Sequence, residues 1–463
     1  GLFWGGFSNG IQQLLNLLFG IIITRMLDST DYGMIGMLAI FTAVANSIQE
    51  SGFTAALANK QTFRHEDYNA VFWFSFLMGA SLYLLLFFCA PFIAAFYKTP
   101  QLIPLSRFLF LGFLISSCGT AHNAVLFKKL MVKEKAKATI TALLCSGTIG
   151  IVMAYNGMAF WGLAVQQITY IFIANALLWY FSPWRPTFSF NFKPISSKLL
   201  ITNVFHYIND NIFSVLLGRF YTSQDVGYYT QANKWTNMGF SLISNMINGV
   251  SQPVLVETSS DAMRQKNIFR KMLRFTAFIS FPAMFGLALI ANEFIVIAVT
   301  AKWQACVPIM QILCIWGAFV PITYMYSNLL ISKGKSNLFM WNTIAQSLVQ
   351  LTMLLCTISQ GILVMAVIYT VINVGWLLIW HYFVNKQIHI TLWEVMKDIT
   401  PYLLISGGVI GTSYFLTIGF HNLYVLLILK IGIAVSLYVF IMWIGKSVIF
   451  FESVQFIRKK LLK

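Results

Sequence analysis

The chain has 463 residues, of which 58% are hydrophobic and only 10% charged, and its formal net charge is +17. A soluble domain carries roughly 25% charged residues, so this chain has too few to cover a surface that faces water. The composition therefore excludes an ordinary soluble protein and predicts an all-α, polytopic membrane protein.

Long apolar runs follow one another along nearly the whole chain. A helix that crosses a bilayer needs about 20 mostly apolar residues, and this rule predicts about fourteen transmembrane helices. The predicted spans are residues 5–25, 33–50, 70–96, 104–127, 138–156, 159–181, 199–219, 228–252, 272–299, 306–331, 338–358, 361–384, 400–419 and 423–445. The second and the eighth are the least apolar, because they contain several Asn, Ser and Gln residues.

The distribution of Lys and Arg predicts the orientation of these helices. If both termini are cytoplasmic, 24 of the 31 basic residues fall in cytoplasmic segments, as expected for membrane proteins. The other seven are Arg25, Lys98, Arg107, Arg219, Lys234, Lys302 and Lys430. We therefore predict a multi-pass protein of the bacterial inner membrane, with a basic amphipathic tail at 446–463 on the anionic inner leaflet. Topology alone accounts for the positive charge, so the sequence predicts no nucleic-acid partner.

Two absences bear on catalysis. The predicted external loops near 97–104 and 299–306 are too short to hold a catalytic domain, so we expect no enzymatic activity. The six cysteines lie in or beside apolar runs and form no CxxC pair, which favours buried apolar side chains over disulfides or a metal site. The sequence indicates no cofactor.

An internal repeat appears when the chain is shifted by 194 positions. The shift aligns Arg25, Asp31 and Gly33 with Arg219, Asp225 and Gly227. The glycine allows a turn between two helices, and the carboxylate is suited to cap the second helix. The same shift aligns Asn9, Gln12 and Asn16 with Asn203, His206 and Asp210, and each set forms one stripe on a helix face.

The repeat predicts two parallel six-helix lobes, 1–181 and 199–384, joined by a cytoplasmic linker, 182–198. Two extra transmembrane helices and the tail follow in 385–463. Such lobes are expected to enclose a cavity that opens to one side of the membrane at a time.

Several short motifs, taken together in their order and spacing, are typical of one superfamily of membrane proteins. They are the Arg-to-Gly segment 25–33, Glu50–Leu57, Ala124–Lys129, Gly218–Tyr221, Asp225–Tyr229, and Lys302-Trp303 followed by Pro308. Together they resemble the multidrug/oligosaccharidyl-lipid/polysaccharide exporter superfamily, and most of all its colanic-acid and O-antigen flippases. The resemblance implies a twelve-helix core plus two helices. It also implies alternating-access transfer of an undecaprenyl-pyrophosphate-linked oligosaccharide from the cytoplasmic to the periplasmic leaflet, with H+ or Na+ as coupling ion.

Asp210 is the sharpest candidate for ion coupling. An acid near the middle of a span costs roughly 2.5–3.5 kcal/mol on insertion scales, so it should face water or a partner. His206 lies one turn earlier and can share a proton with it. The alternative is a structural hydrogen-bond network, to which Asn203 would also belong.

Arg25 and Arg219 end the first and seventh helices and are suited to contact the pyrophosphate or acidic sugars. Alternatively, they stabilise their turns by pairing with Asp31 and Asp225. Glu50 lines the inner mouth of the path, pairs with Arg64, or is a solvated carboxylate at the interface.

The predicted eighth helix carries a polar stripe that is suited to bind sugar hydroxyls, because amides and hydroxyls both donate and accept hydrogen bonds. Its members are Asn237, Ser241, Asn245, Asn248 and Gln252. Asn16 and Gln12, on the stripe of the first helix, are further candidates for the translocation path. Interhelical packing is the alternative explanation of the stripe.

Other functions remain open on the sequence alone. A cation-coupled multidrug exporter and a lipid II flippase are the transport alternatives. A membrane glycosyltransferase would need a cluster of catalytic acids, and a structural assembly protein would leave the polar stripes unexplained. Expected partners are the lipid-linked oligosaccharide, the bilayer, and the polymerase and export proteins of a polysaccharide pathway.

Overall fold

The computed structural model describes residues 2–58, 64–129, 131–188, 208, 211–259 and 261–461. Within these residues every regular element is a helix, which confirms the all-α prediction. The chain divides into two compact units, Gly1–Thr230 and Gln231–Lys463. The predicted lobes rest on the internal repeat, and their boundaries remain a prediction.

The first unit contains eight helices and the beginning of a ninth. They are α1 (Leu2–Met26), α2 (Ser29–Ala58), α3 (His65–Tyr97), α4 (Leu102–Ser117), α5 (Thr120–Lys128), α6 (Val132–Tyr155), α7 (Ala159–Phe181), α8 (Asn211–Phe220) and the start of α9 (Ser223–Glu257). α6 packs along α1 and α7, and α4 packs along α3 and α7.

The second unit holds the rest of α9 and eight further α-helices. They are α10 (Ala262–Leu289), α11 (Ala291–Val299), α12 (Val307–Ser332), α13 (Ser336–Thr357), α14 (Ile362–Ile388), α15 (Leu392–Thr417), α16 (Leu423–Ile444) and α17 (Val448–Leu461). Short 3-10 helices cover Ala301–Cys306 and Ile358–Gln360. α10 lies at the centre of this unit, in contact with α12 and α15.

Polar residues at helix starts explain several boundaries. The Asp261 carboxylate accepts hydrogen bonds from the first backbone N–H groups of α10, and Asn422 does the same at α16. Thr391 and Glu394 form a capping box at α15, in which each side chain accepts from the other's backbone. Such caps satisfy N–H groups that have no partner inside the helix.

Nine helices among the described residues are long and apolar enough to cross a membrane, and ten if the bent pair α4–α5 counts as one span. This establishes a multi-pass membrane protein. The predicted count of fourteen is not confirmed by this criterion. The helices that do not meet it are α1, α2, α8 and α9, together with the short α11 and α17. Of these, α1 and α9 carry the polar stripes noted in the sequence.

The segment after α7 is fixed to the first unit by polar contacts. The Thr187 N–H donates to Asn69 Oδ1 at 2.7 Å, and Trp73 Nε1 donates to the Thr187 carbonyl at 2.7 Å. Trp184 packs into an apolar cluster with Phe72 and Val125. The first residues of the predicted linker therefore lie against α3, whereas 189–198 are outside the described residues.

Candidate translocation site

The two repeat-related turns have the same capping geometry. Asp31 Oδ2 accepts from the Asp28 N–H at 3.0 Å, and Asp225 Oδ2 accepts from the Thr222 N–H at 3.1 Å. Thr222 Oγ1 also accepts from the Asp225 N–H at 3.2 Å, which completes a capping box at α9. The predicted capping role of the two aspartates is confirmed.

Arg219 contacts the end of α3. Its guanidinium donates a short hydrogen bond to the Phe96 carbonyl and lies 5.2 Å from the centre of the Phe96 ring. The Asp225 carboxylate is meanwhile engaged by Thr222. The structure therefore gives Arg219 a different partner from the aspartate that the turn-stabilising hypothesis named. Arg25 ends α1 with an exposed side chain.

The polar stripe of α1 is partly open. Asn16 is exposed and Gln12 is half-buried. Because α1 belongs to a membrane protein, exposed amides on it are costly against lipid and are favourable beside water or a polar ligand.

The stripe on α9 divides into two parts. Asn245, Asn237 and Gln252 are exposed. Asn248 instead accepts a 2.8 Å hydrogen bond from Asn328 Nδ2 on α12, which also donates to Ser251 Oγ. Interhelical packing thus explains Asn248, whereas Asn245 is free of such a role in its exposed position.

Four predicted site positions are not covered by the structure. Asn203, His206 and Asp210 lie outside the described residues, and so does the side chain of Glu50. Their roles remain predictions.

A buried amide cluster between α13 and α14 was missed by the sequence analysis. Gln346 and Gln350 both donate to Asn373 Oδ1, at 2.9 and 2.7 Å. All three side chains are buried, and the oxygen of Gln350 has no hydrogen-bond partner. The i, i+4 spacing of the two glutamines inside an apolar span was the available signal, of the same kind as the stripe on α1.

A buried ion pair was also missed. Lys430 Nζ on α16 lies 2.8 Å from Glu293 Oε1 on α11, and it donates to the Leu289 carbonyl at 3.2 Å. The two side chains are 8% and 5% exposed. A charge buried among apolar helices requires such a partner, so this pair joins α16 to the centre of the second unit.

Ionic contacts connect the beginnings of α10 and α15. Arg270 holds Asp398 through two hydrogen bonds of 2.7 and 3.2 Å, and it also reaches Glu394. Lys266 lies 2.9 Å from Glu394. Both helices therefore begin on the same side, as the predicted topology requires of two odd-numbered spans.

Comparisons with known proteins agree with this architecture. The fold matches a lipid II flippase, MurJ, in an inward closed conformation, with a TM-score of 0.74 at 14% identity, covering 96% of this chain and 99% of that one. It also matches an inward-facing multidrug resistance MATE family transporter of the MOP superfamily, with a TM-score of 0.63 at 16% identity over 84% of this chain and 95% of that one. This chain therefore shares the fold of these two proteins.

The family assignment rests on sequence. The model of the polysaccharide biosynthesis protein family matches residues 22–308, and the chain belongs to that family. The resemblance to polysaccharide exporters of the MOP superfamily is thereby confirmed.

Two named relatives extend over most of the chain. The teichuronic acid biosynthesis protein TuaB of Bacillus subtilis is 23% identical over 88% of this chain and 86% of its own length. The lipopolysaccharide biosynthesis protein WzxC of Escherichia coli is 22% identical over 72% of this chain and 69% of its own length.

Proposed function

We propose that the protein is a flippase that carries an undecaprenyl-pyrophosphate-linked oligosaccharide from the cytoplasmic to the periplasmic leaflet by alternating access. The substrate would be a repeat unit of a surface polysaccharide, capsule or O-antigen. The protein acts without chemical change to the substrate, and H+ or Na+ supplies the driving force.

The observation that carries this proposal is the exposure of amides on helices of a membrane protein. Asn16 on α1 and Asn245 on α9 are exposed although both helices lie within a chain of long apolar spans. Amides match sugar hydroxyls because both groups donate and accept hydrogen bonds. If these amides line the path, it would suit a glycan better than an apolar drug.

The names of the relatives support the same substrate class. TuaB and WzxC are named for teichuronic acid and lipopolysaccharide biosynthesis, and a third relative, ExoT of Rhizobium meliloti, is named a succinoglycan biosynthesis transport protein. All three polymers are built from sugars. We infer that this chain serves a polymer of the same class, beside the polymerase and export proteins of its pathway.

The orientation belongs to the proposal. Both termini are cytoplasmic in the bacterial inner membrane, and the basic loops face the cytoplasm. In this orientation the joined beginnings of α10 and α15 lie on the cytoplasmic side, where the basic residues of α10 belong.

The test is deletion of the gene in its host, followed by measurement of lipid-linked oligosaccharides in each leaflet and of surface polysaccharide. We expect intermediates to accumulate on the cytoplasmic face and surface glycan to be lost, with both restored by the intact gene. The mass of the trapped intermediate identifies the repeat unit.

Two transport alternatives predict different results. A multidrug exporter of the same fold would leave the glycan intact and raise drug sensitivity on deletion. A lipid II flippase would accumulate the wall precursor instead of a polysaccharide repeat unit. The fold similarity to MurJ and MATE transporters does not separate these functions, because one fold hosts several.

A further inference from the structure

We propose that the two repeat-related turns form a symmetric outer gate, which must separate for a substrate to leave. We call the paired segments 29–36 and 223–230 the glycine seam. This inference rests on the proposed flippase function and names the residues that would close one end of its path.

The contact between the segments is reciprocal. A Cβ atom on Gly33 would overlap the Ser223 carbonyl oxygen, and a Cβ atom on Gly227 would overlap the Ser29 carbonyl oxygen. Ser29 and Ser223 are 194 positions apart, as are Gly33 and Gly227. The two copies of the repeat therefore meet through equivalent atoms, and each glycine is required by the backbone of the other copy.

A second contact marks the centre of this arrangement. Gly36 and Thr230 are themselves repeat equivalents, and a Cβ on Gly36 would lie 3.5 Å from Thr230 Cβ. Two equivalent positions can touch in this way only near the axis that relates the copies. Ser214 Oγ on α8 donates to the Gly36 carbonyl at 3.1 Å and adds a polar contact beside the axis.

Burial changes along the same helices. Met37 and Leu38 in α2, and Val226 and Tyr229 in α9, are almost fully buried. Asn16, ten residues before the end of α1, is exposed. Along α9, Asn237 and Asn245 are exposed as well. The residues around the seam are thus almost fully buried, whereas single polar positions farther along α1 and α9 are exposed.

The seam is suited to reversible separation. Its closest contacts bring backbone carbonyls against glycine, and contacts of this kind are individually weak. Since the predicted basic loops lie at the opposite helix ends, the seam faces the periplasm in the proposed orientation. A gate of this construction closes through the complementary shapes of the two segments.

A reversible disulfide tests the gate directly. The 3.5 Å separation of Cβ positions at 36 and 230 falls within the range that a disulfide accepts. The variant G36C/T230C is compared with G36C and T230C alone, all in the native background, whose six cysteines are free. Each is expressed in the deletion host, and surface glycan, protein level and the 36–230 disulfide are measured before and after oxidation.

We expect the pair to form the disulfide, to lose surface glycan on oxidation and to regain it on reduction. In each single variant the glycan level should be the same before and after oxidation. Complete disulfide formation with unchanged glycan would overturn the gate, and so would failure of the pair to cross-link. The disulfide is detected by mass, so it reports on the contact between the two segments independently of the glycan. Normal surface glycan in the deletion host would refute the flippase function and not the contact.

A second measurement leaves Gly36 unchanged, because a side chain at that position is crowded by Thr230. T230C alone is labelled from outside with a membrane-impermeant thiol reagent, in the complete host and in a host that makes no lipid-linked sugar. We expect faster labelling when substrate is present, because transport opens the seam. Equal labelling in the two hosts would contradict the proposal.

Discussion

Lys430 and Glu293 face each other across α16 and α11, 137 positions apart in sequence, in an ion pair that is almost entirely buried. We expect Lys430→Ala to lower stability by about 3–5 kcal/mol, because it leaves a carboxylate buried without a partner. The double variant Lys430→Met, Glu293→Gln should recover much of this loss. Thermal unfolding of the purified protein in detergent measures both, and equal stability of Lys430→Ala and the parent would show that the pair is not formed.

Arg270 should matter more for stability than its neighbour Lys271. Arg270 holds the buried Asp398 in a bidentate contact, whereas the Lys271–Glu452 pair is exposed at both ends. We expect Arg270→Ala to cost about 1.5–3 kcal/mol, as for hydrogen bonds to charged groups. Lys271→Ala should cost about 0–1 kcal/mol, as for surface pairs. Similar losses in the two variants would contradict this ranking.

Alanine at the seam should impair transport selectively. Gly33→Ala and Gly227→Ala place a methyl group against a backbone carbonyl, so the seam cannot close. The matched control is Gly10→Ala on α1, where a Cβ atom meets nothing within 4 Å. We expect loss of surface glycan in the first two variants and normal glycan in the control, at comparable protein levels. Normal export in Gly33→Ala would argue against close packing at this point.

The exposed amides should affect transport rather than folding. We expect Asn16→Leu and Asn245→Leu to reduce surface glycan without lowering the protein level, since both side chains are exposed. Leu14→Ala on α1 is the control, because Leu14 is exposed, apolar and on the opposite face of the helix from Asn16. If the asparagine variants export normally, these amides do not line the path.

Loss of the α9 cap should be a mild folding defect. Asp225→Ala removes the acceptor for the Thr222 N–H and hydroxyl groups. We expect a cost of about 1 kcal/mol, typical of a lost cap. The unfolding temperature of the variant, compared with that of Gln224→Ala one residue earlier, measures this effect. A loss as large as that of Lys430→Ala would indicate a further role for Asp225.

The apolar helices were the most predictable part of the fold. The predicted span 159–181 coincides with α7, and 361–384 lies almost wholly inside α14. Apolar length determines such helices, because the bilayer leaves no other way to satisfy their backbone groups.

Breaks and extensions were less predictable. The predicted span 272–299 is two helices that meet at Ile290, and the first begins at Ala262, within the charged segment that precedes the apolar run. Likewise, α4 and α5 bend by 42° within one predicted span. Hydrophobicity does not report where a helix changes direction or how far it continues beyond the lipid.

Long-range pairing was beyond the sequence analysis. Lys430 was only one of seven basic residues outside the cytoplasmic segments, and nothing near it pointed to Glu293. The repeat, in contrast, predicted both aspartate caps, because they depend on contacts only three residues apart. Local contacts follow from local sequence, whereas partners more than a hundred residues apart depend on packing.

Transfer of the natural substrate by the purified protein is the most direct test of the flippase function. Lipid-linked oligosaccharide isolated from the deletion strain is reconstituted into vesicles with the protein, and the fraction of sugar reached by an external, membrane-impermeant oxidant is followed in time. We expect the lipid-linked sugar of the inner leaflet to become accessible to the oxidant in vesicles that contain the protein. It should stay protected in vesicles that contain the substrate but no protein. An inner pool that remains equally protected in both would contradict the account.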